Sequence, residues 1–173
     1  SPTDSCAGNL DEHLAALERC GARARSVRRP AELDGLQGIV LPGGESTTID
    51  KLSRLFSLRD PLVAALRAGL PAYGSCAGMI QLADEVRDGT HDQQTFGGLD
   101  VAVRRNAFGR QTESFEADVD LHGISGGQLH AVFIRAPWVE RLGPAVEVLG
   151  TVVVPGLGPK VVAVRQGALL ATA

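Results

Sequence analysis

The chain has few cysteines, no long apolar run and no excess of positive charge. Its three cysteines, Cys6, Cys20 and Cys76, form no Cys-x-x-Cys pair. An odd count without paired spacing excludes a disulfide framework and fits a reducing cytosol. No apolar run reaches the roughly 18 residues of a membrane helix. The start, Ser1-Pro2-Thr3-Asp4, lacks the basic region and apolar stretch of a signal peptide. Lys and Arg number 17 against 20 Asp and Glu, a formal charge of −3. Mild acidity argues against nucleic acid as partner, since that needs a basic face. The four histidines, His13, His91, His122 and His130, are scattered, so neither a metal site nor a cofactor is signalled. No internal repeat, low-complexity segment or dividing linker interrupts the chain.

What remains is ordinary globular material, 44% apolar and 21% charged. At 173 residues, one domain spanning 1–173 is expected. A domain of this size buries about two-thirds of its unfolded surface. Gly is abundant at 21 residues, which suggests many tight turns between strands and helices.

Leu10, Leu14 and Leu17 repeat at helical spacing, and Gly21 ends the pattern. Ile39-Val40-Leu41 reads as a buried strand that Pro42-Gly43-Gly44 terminates. A helix is predicted from about Thr47, with Thr47 and Asp50 in capping-box spacing and Ile49, Leu52, Leu55 and Phe56 on one face. Asp60-Pro61 opens another helix, with Asp60 as cap. Pro71-Ala72-Tyr73 is a strand, and Met79 to about Val86 a helix. The second half holds strand-like runs at 101–103, 119–121, 131–134, 146–149, 160–164 and 168–171. Alternating strands and helices followed by strands predict an α/β sheet with an antiparallel extension.

The sharpest signal is Gly74-Ser75-Cys76-Ala77-Gly78 between a predicted strand and helix. That is the setting of a nucleophile elbow, in which small flanking residues let the backbone turn sharply. A helix N-terminus would lower the thiol pKa, and the Ala77 N–H could face an oxyanion. The plainer alternative is a buried free cysteine. Pro42-Gly43-Gly44-Glu45-Ser46-Thr47-Thr48 could bring backbone N–H groups to a ligand, with Glu45 reading an ammonium group, or be a simple strand–helix turn. Arg104 to Arg110 reads alone as a solvated basic loop, and Phe133-Ile134-Arg135-Ala136-Pro137 as a strand end with a surface arginine.

In this order these segments resemble the glutaminase subunits of pyridoxal 5′-phosphate synthases, small triad-type (class I) glutamine amidotransferases. The matching stretches are Asp11-Glu-His-Leu14, Leu41-Pro-Gly-Gly-Glu-Ser-Thr-Thr-Ile49, Gly74-Ser-Cys-Ala-Gly-Met79, Arg105-Asn-Ala-Phe-Gly-Arg-Gln111, Ser114-Phe-Glu-Ala-Asp118, Phe133-Ile-Arg-Ala-Pro137 and Val164-Arg-Gln-Gly167. The Cys-Ala-Gly elbow is shared by many amidotransferases, whereas the Pro-Gly-Gly-Glu-Ser-Thr-Thr and Arg-Asn-Ala-Phe-Gly-Arg-Gln segments are far more specific.

The resemblance implies a three-layer α/β/α fold and hydrolysis of L-glutamine to L-glutamate and ammonia. The ammonia would pass to a (β/α)8-barrel synthase subunit for vitamin B6 biosynthesis. Membrane and nucleic acid have no part in it, and the location would be cytoplasmic. By motif position Cys76 would form a thioester, and Gly44 and Ala77 would supply oxyanion N–H groups. Gly44, Glu45, Ser46, Arg105, Ile134 and Arg135 would bind glutamine. Family members begin with an apolar strand ending in Leu-Gln-Gly, where this chain reads Ser5-Cys6-Ala7-Gly8. The first strand is therefore expected to be altered or missing. Family members also continue past Leu-Leu-Ala-Thr into Phe-His-Pro-Glu, whose His is the base and whose Glu orients it. The chain as given is expected to be truncated before that pair and inactive in this form. A non-catalytic binding or regulatory module of the same fold is the alternative.

Overall fold

The computed structural model describes residues 4–105, 114–126 and 128–173, and the side chains of all of these except 4–9. Helix α1 spans Asp4–Arg19, so Ser5 to Gly8 lie in a helix. It ends as Gly21 predicts. Gly21 takes φ 82°, its N–H donates to the Glu18 carbonyl, and the Ala22 N–H donates to that of Leu17. This left-handed cap satisfies carbonyls that the last helical turn leaves open.

Strand β1 (Ile39–Leu41) leads to α2 (Ser46–Leu55), α3 (Arg59–Arg67) and β2 (Ala72–Ser75). Helix α4 (Ala77–Leu82) runs directly into β3 (Ala83–Arg87), then β4 (Leu99–Arg104). A hairpin of β5 (Phe115–Asp120) and β6 (Gln128–Phe133) follows. The chain closes with β7 (Trp138–Leu142), β8 (Glu147–Val154), β9 (Gly158–Gln166) and β10 (Leu169–Thr172).

One sheet runs in the order β1-β2-β10-β9-β7-β4-β3, with β8 paired to β9. β2 is parallel to both β1 and β10, whereas β9 is antiparallel to β10, β7 and β8. The expected parallel sheet with an antiparallel extension is therefore present, curled and flanked by helices. Two apolar clusters hold it. One joins α3 and α4 to the sheet through Leu62, Leu66, Met79, Leu82, Val101 and Val164. The other seats the β5–β6 hairpin on β8 and β9 through Val119, Phe133, Val152 and Val162.

Several local expectations are corrected. Thr47 does not cap α2. Glu45 does, accepting from the Thr47 N–H at 3.4 Å and the Thr47 hydroxyl at 3.1 Å. Asp50 is buried, pairs with Arg54 at 2.8 Å and accepts from the Gln94 N–H at 3.1 Å. Of the expected apolar face only Ile49 packs against the core: Ser46, Asp50 and Ser53 are buried, whereas Leu52, Leu55 and Phe56 are 46%, 73% and 57% exposed. The polar side wins because its partners wait in the neighbouring loop and in α4. Asp60 lies in the first turn of α3, and Leu58 occupies the cap position. The helix expected to reach Val86 stops at Leu82, because Ala83–Arg87 pair in parallel with β4. Strand β7 has no counterpart among the expected strands. Trp-Val-Glu-Arg-Leu mixes charge into a short run, and pairing with β4 decides its state.

Candidate active site

β2 and α4 meet at Cys76, the N-cap residue of α4, with φ 53° and ψ −104°. A non-glycine residue there is strained, and the packing around it must hold the strain. The flanking glycines serve closeness rather than left-handed backbone, since neither has a positive φ. A Cβ on Gly78 would run into the Leu41 carbonyl oxygen, and one on Gly74 into the Gly78 backbone. β1, β2 and α4 thus approach so nearly that the cysteine is left at the tip. The Cys76 N–H donates to the Thr172 carbonyl at 2.8 Å, which places the end of β10 against the same residue.

The Pro42-Gly43-Gly44 turn lies beside this elbow. The backbone N–H groups of Ala77 and Gly44 lie near the Cys76 thiol and favour its thiolate. Gly44 reaches this position with φ 135°, which only glycine adopts readily. Burial pushes the Cys76 thiol above its ordinary pKa. Ala77, the positive charge of Arg135 and Gly44 pull it down, and Glu45 pushes it up again. The expectation that the helix N-terminus would leave the thiol pKa lowered is thereby corrected. The thiol is buried, α4 has only six residues, and desolvation outweighs the donors.

The second half of the constellation lies at the start of α2. Glu45 forms an ion pair with Arg105 at 2.6 Å, and the Arg105 side chain is only 9% exposed. Ser46 is buried beside them, and its carbonyl accepts from the Gln81 amide at 2.7 Å. Arg135 takes φ 48°, a strained left-handed conformation directly after Ile134, whose side chain is exposed. The structure thus brings together Cys76, Ala77, Gly44 and Arg135, and beside them Glu45, Ser46 and Arg105. Asn106 to Gln111 of the predicted basic motif lie outside the described residues.

Three buried or half-buried polar residues of the site region carry no sequence signal for their roles: Asp50, Gln81 and Gln93. Asp50 reads as a capping partner, Gln81 sits inside a helix that reads as apolar, and Gln93 lies in a polar loop without pattern. Their partners come from distant segments. Among the described residues, no group of three or more His, Cys, Asp or Glu side chains is arranged to hold a metal ion. Among them too, no helix is long and apolar enough to cross a membrane.

A strained cysteine between a Gly-Gly turn and a helix can attack a carbonyl carbon. The adjoining Glu–Arg pair offers one charge of each sign to an amino acid. The sequence profile of the SNO glutamine amidotransferase family matches residues 5–173. The chain belongs to that family.

Family relatives agree. A pyridoxal 5′-phosphate synthase subunit PdxT of Salinispora arenicola is 59% identical over 165 residues, covering 95% of this chain and 82% of the relative. Its counterpart in Acidothermus cellulolyticus is 61% identical over 166 residues, covering 96% and 80%. A crystal structure of a glutamine amidotransferase superposes with TM-score 0.81 at 47% identity, over 94% of this chain and 82% of the other. A glutamine amidotransferase from Thermotoga maritima, 14% identical with TM-score 0.59 over 94% and 68%, shares the fold.

Proposed function

We propose that the chain hydrolyses L-glutamine to L-glutamate and ammonia through Cys76, and delivers the ammonia to a (β/α)8-barrel subunit that makes pyridoxal 5′-phosphate. Residues 1–173 act in this reading as one amidotransferase domain, in the cytoplasm, as the unpaired cysteine spacing suggests. The observation that carries the reading is the strained Cys76 elbow, packed between β1, β2 and α4 through Gly74 and Gly78, in a chain of this family.

The chemistry follows from the geometry. Glutamine's own ammonium and carboxylate need groups of opposite charge, and Glu45, Arg105 and Arg135 supply them. The resemblance adds Gly44, Ser46 and Ile134 to the same site. The Cys76 sulfur attacks the side-chain carboxamide carbon. The developing oxyanion takes hydrogen bonds from the Gly44 and Ala77 N–H groups. Collapse breaks the C–N bond, the nitrogen gains a proton and leaves as ammonia, and a thioester remains. Water then attacks the thioester carbon, giving glutamate and regenerating the thiol. Because burial keeps the thiol protonated, a base must take its proton and return it to the leaving nitrogen. The resemblance assigns that role to a histidine C-terminal to the Leu-Leu-Ala-Thr strand. The contact of Thr172 with Cys76 supports this, since β10 brings the chain to the nucleophile at that point.

The test is glutamate release by the full natural chain with its synthase partner. Cys76→Ala should lower kcat by a thousandfold or more, on the order of triad losses elsewhere. Pyridoxal phosphate formation from added ammonium should survive in the same variant. A wild-type complex that binds glutamine but releases no glutamate would leave a non-catalytic module instead.

A further inference from the structure

Gln93 joins two of the residues assigned to glutamine. Its Oε1 accepts from Arg105 Nη1 at 2.9 Å, and its Nε2 donates to the Ser46 hydroxyl oxygen at 3.0 Å. A guanidinium can only donate, so the amide orientation is fixed by chemistry. The Ser46 oxygen is then an acceptor toward Gln93, and its own proton is left for another partner. Arg105 is likewise held from two sides, by Gln93 and by Glu45.

The loop carrying Gln93 is itself pinned to three helices. Gln94 N–H donates to Asp50 of α2 at 3.1 Å, and Arg59 of α3 donates to the Thr95 carbonyl at 2.9 Å. Phe96 N–H donates to the Gln81 carbonyl of α4 at 2.7 Å. A residue so anchored can set the spacing of the groups it touches, which is what recognition of a small rigid headgroup requires.

We infer that Gln93 is a positioning residue for substrate recognition: it fixes the Arg105 guanidinium relative to Ser46 and turns the Ser46 proton toward the amino acid's carboxylate. This rests on the glutamine-binding reading above.

The experiment measures KM and kcat for glutamine in the full chain with its synthase partner. The variants are Gln93→Leu, Gln93→Glu, Arg105→Ala and the Gln93→Leu/Arg105→Ala double. Gln93→Leu should raise KM about tenfold, the size of one hydrogen bond to a charged group, and leave kcat within about twofold. Gln93→Glu keeps the acceptor for Arg105 but loses the donor to Ser46, so its KM should rise by a smaller factor. In the Arg105→Ala background, Gln93→Leu should change KM by no more than about threefold, because only the Ser46 arm remains. Full additivity in the double variant, or an unchanged KM in both Gln93 variants while Arg105→Ala raises it, overturns the inference alone. So does an equal loss of kcat and thermal stability without a KM effect. An unchanged KM in Arg105→Ala instead overturns the glutamine-binding reading, and this inference with it.

Discussion

Cys76 bears two costs at once, a strained backbone and a desolvated sulfur. The raised thiol pKa makes a definite prediction for pH. A group whose pKa lies above the ordinary thiol value is protonated at pH 7, and its thiolate fraction grows tenfold per pH unit until that pKa is passed. Alkylation of Cys76 in this chain should therefore still accelerate above about pH 9, the ordinary range for a thiol being roughly 8–9. Peptide mapping separates it from the exposed Cys20. A rate that levels off below pH 8 would show that the Ala77, Gly44 and Arg135 contributions outweigh burial. The glycine two positions on is equally committed. Gly78→Ala would drive a methyl into the Leu41 carbonyl, which belongs to a strand and cannot swing aside. A loss of about 2–3 kcal/mol is expected, seen as a melting temperature lower by roughly 5–10 °C. An unchanged melting temperature would mean that β1 and α4 are not held at this distance.

Helix α2 is the element in which pattern and packing disagree. Its leucines and Phe56 mark the face that periodicity would bury, yet Asp50 and Ser53 occupy the interior. The buried carboxylate is satisfied by Arg54 on one side and the Gln94 N–H on the other, so burial does not leave it unpaired. Asp50→Ala removes both partners' acceptor and should cost about 1–3 kcal/mol in denaturant unfolding. Leu55→Ser, on the exposed face, should stay within about 0.5 kcal/mol of the parent chain. Should the two costs come out reversed, the helix is rotated relative to this structure. The same element shows where sequence reading stops. Ser-Thr-Thr-Ile-Asp announces a helix start, but the choice of cap and of buried face depends on Arg105, Gln81 and the loop before β4. These are brought in only by tertiary folding.

Over the whole molecule, legibility tracks how local each cause is. Gly21 and Gly44 announce their turns because the backbone itself takes a left-handed conformation there, and Gly74 and Gly78 announce the elbow because only glycine allows so close an approach. The α/β alternation and the later strands are equally plain from apolar runs between turn residues. β3 and β7 are hidden, since charged residues such as Asp84, Glu85, Glu140 and Arg141 interrupt them and pairing with β4 holds them in place. At the site, Cys76, Gly44, Ala77, Glu45, Ser46 and Arg105 are legible through motif resemblance. Gln93 and Gln81 are not, because each reaches Ser46 across 35 or more positions of sequence. The measurement that tests the central claim most directly is covalent trapping with a diazoketone analogue of glutamine. The analogue carries the amino acid's headgroup and alkylates the sulfur that attacks it. Peptide mass mapping of the full chain with its synthase partner should place the label on Cys76 alone, and excess L-glutamine should block it. Label on Cys6 or Cys20, or labelling of Cys76 that glutamine does not slow, would contradict the account.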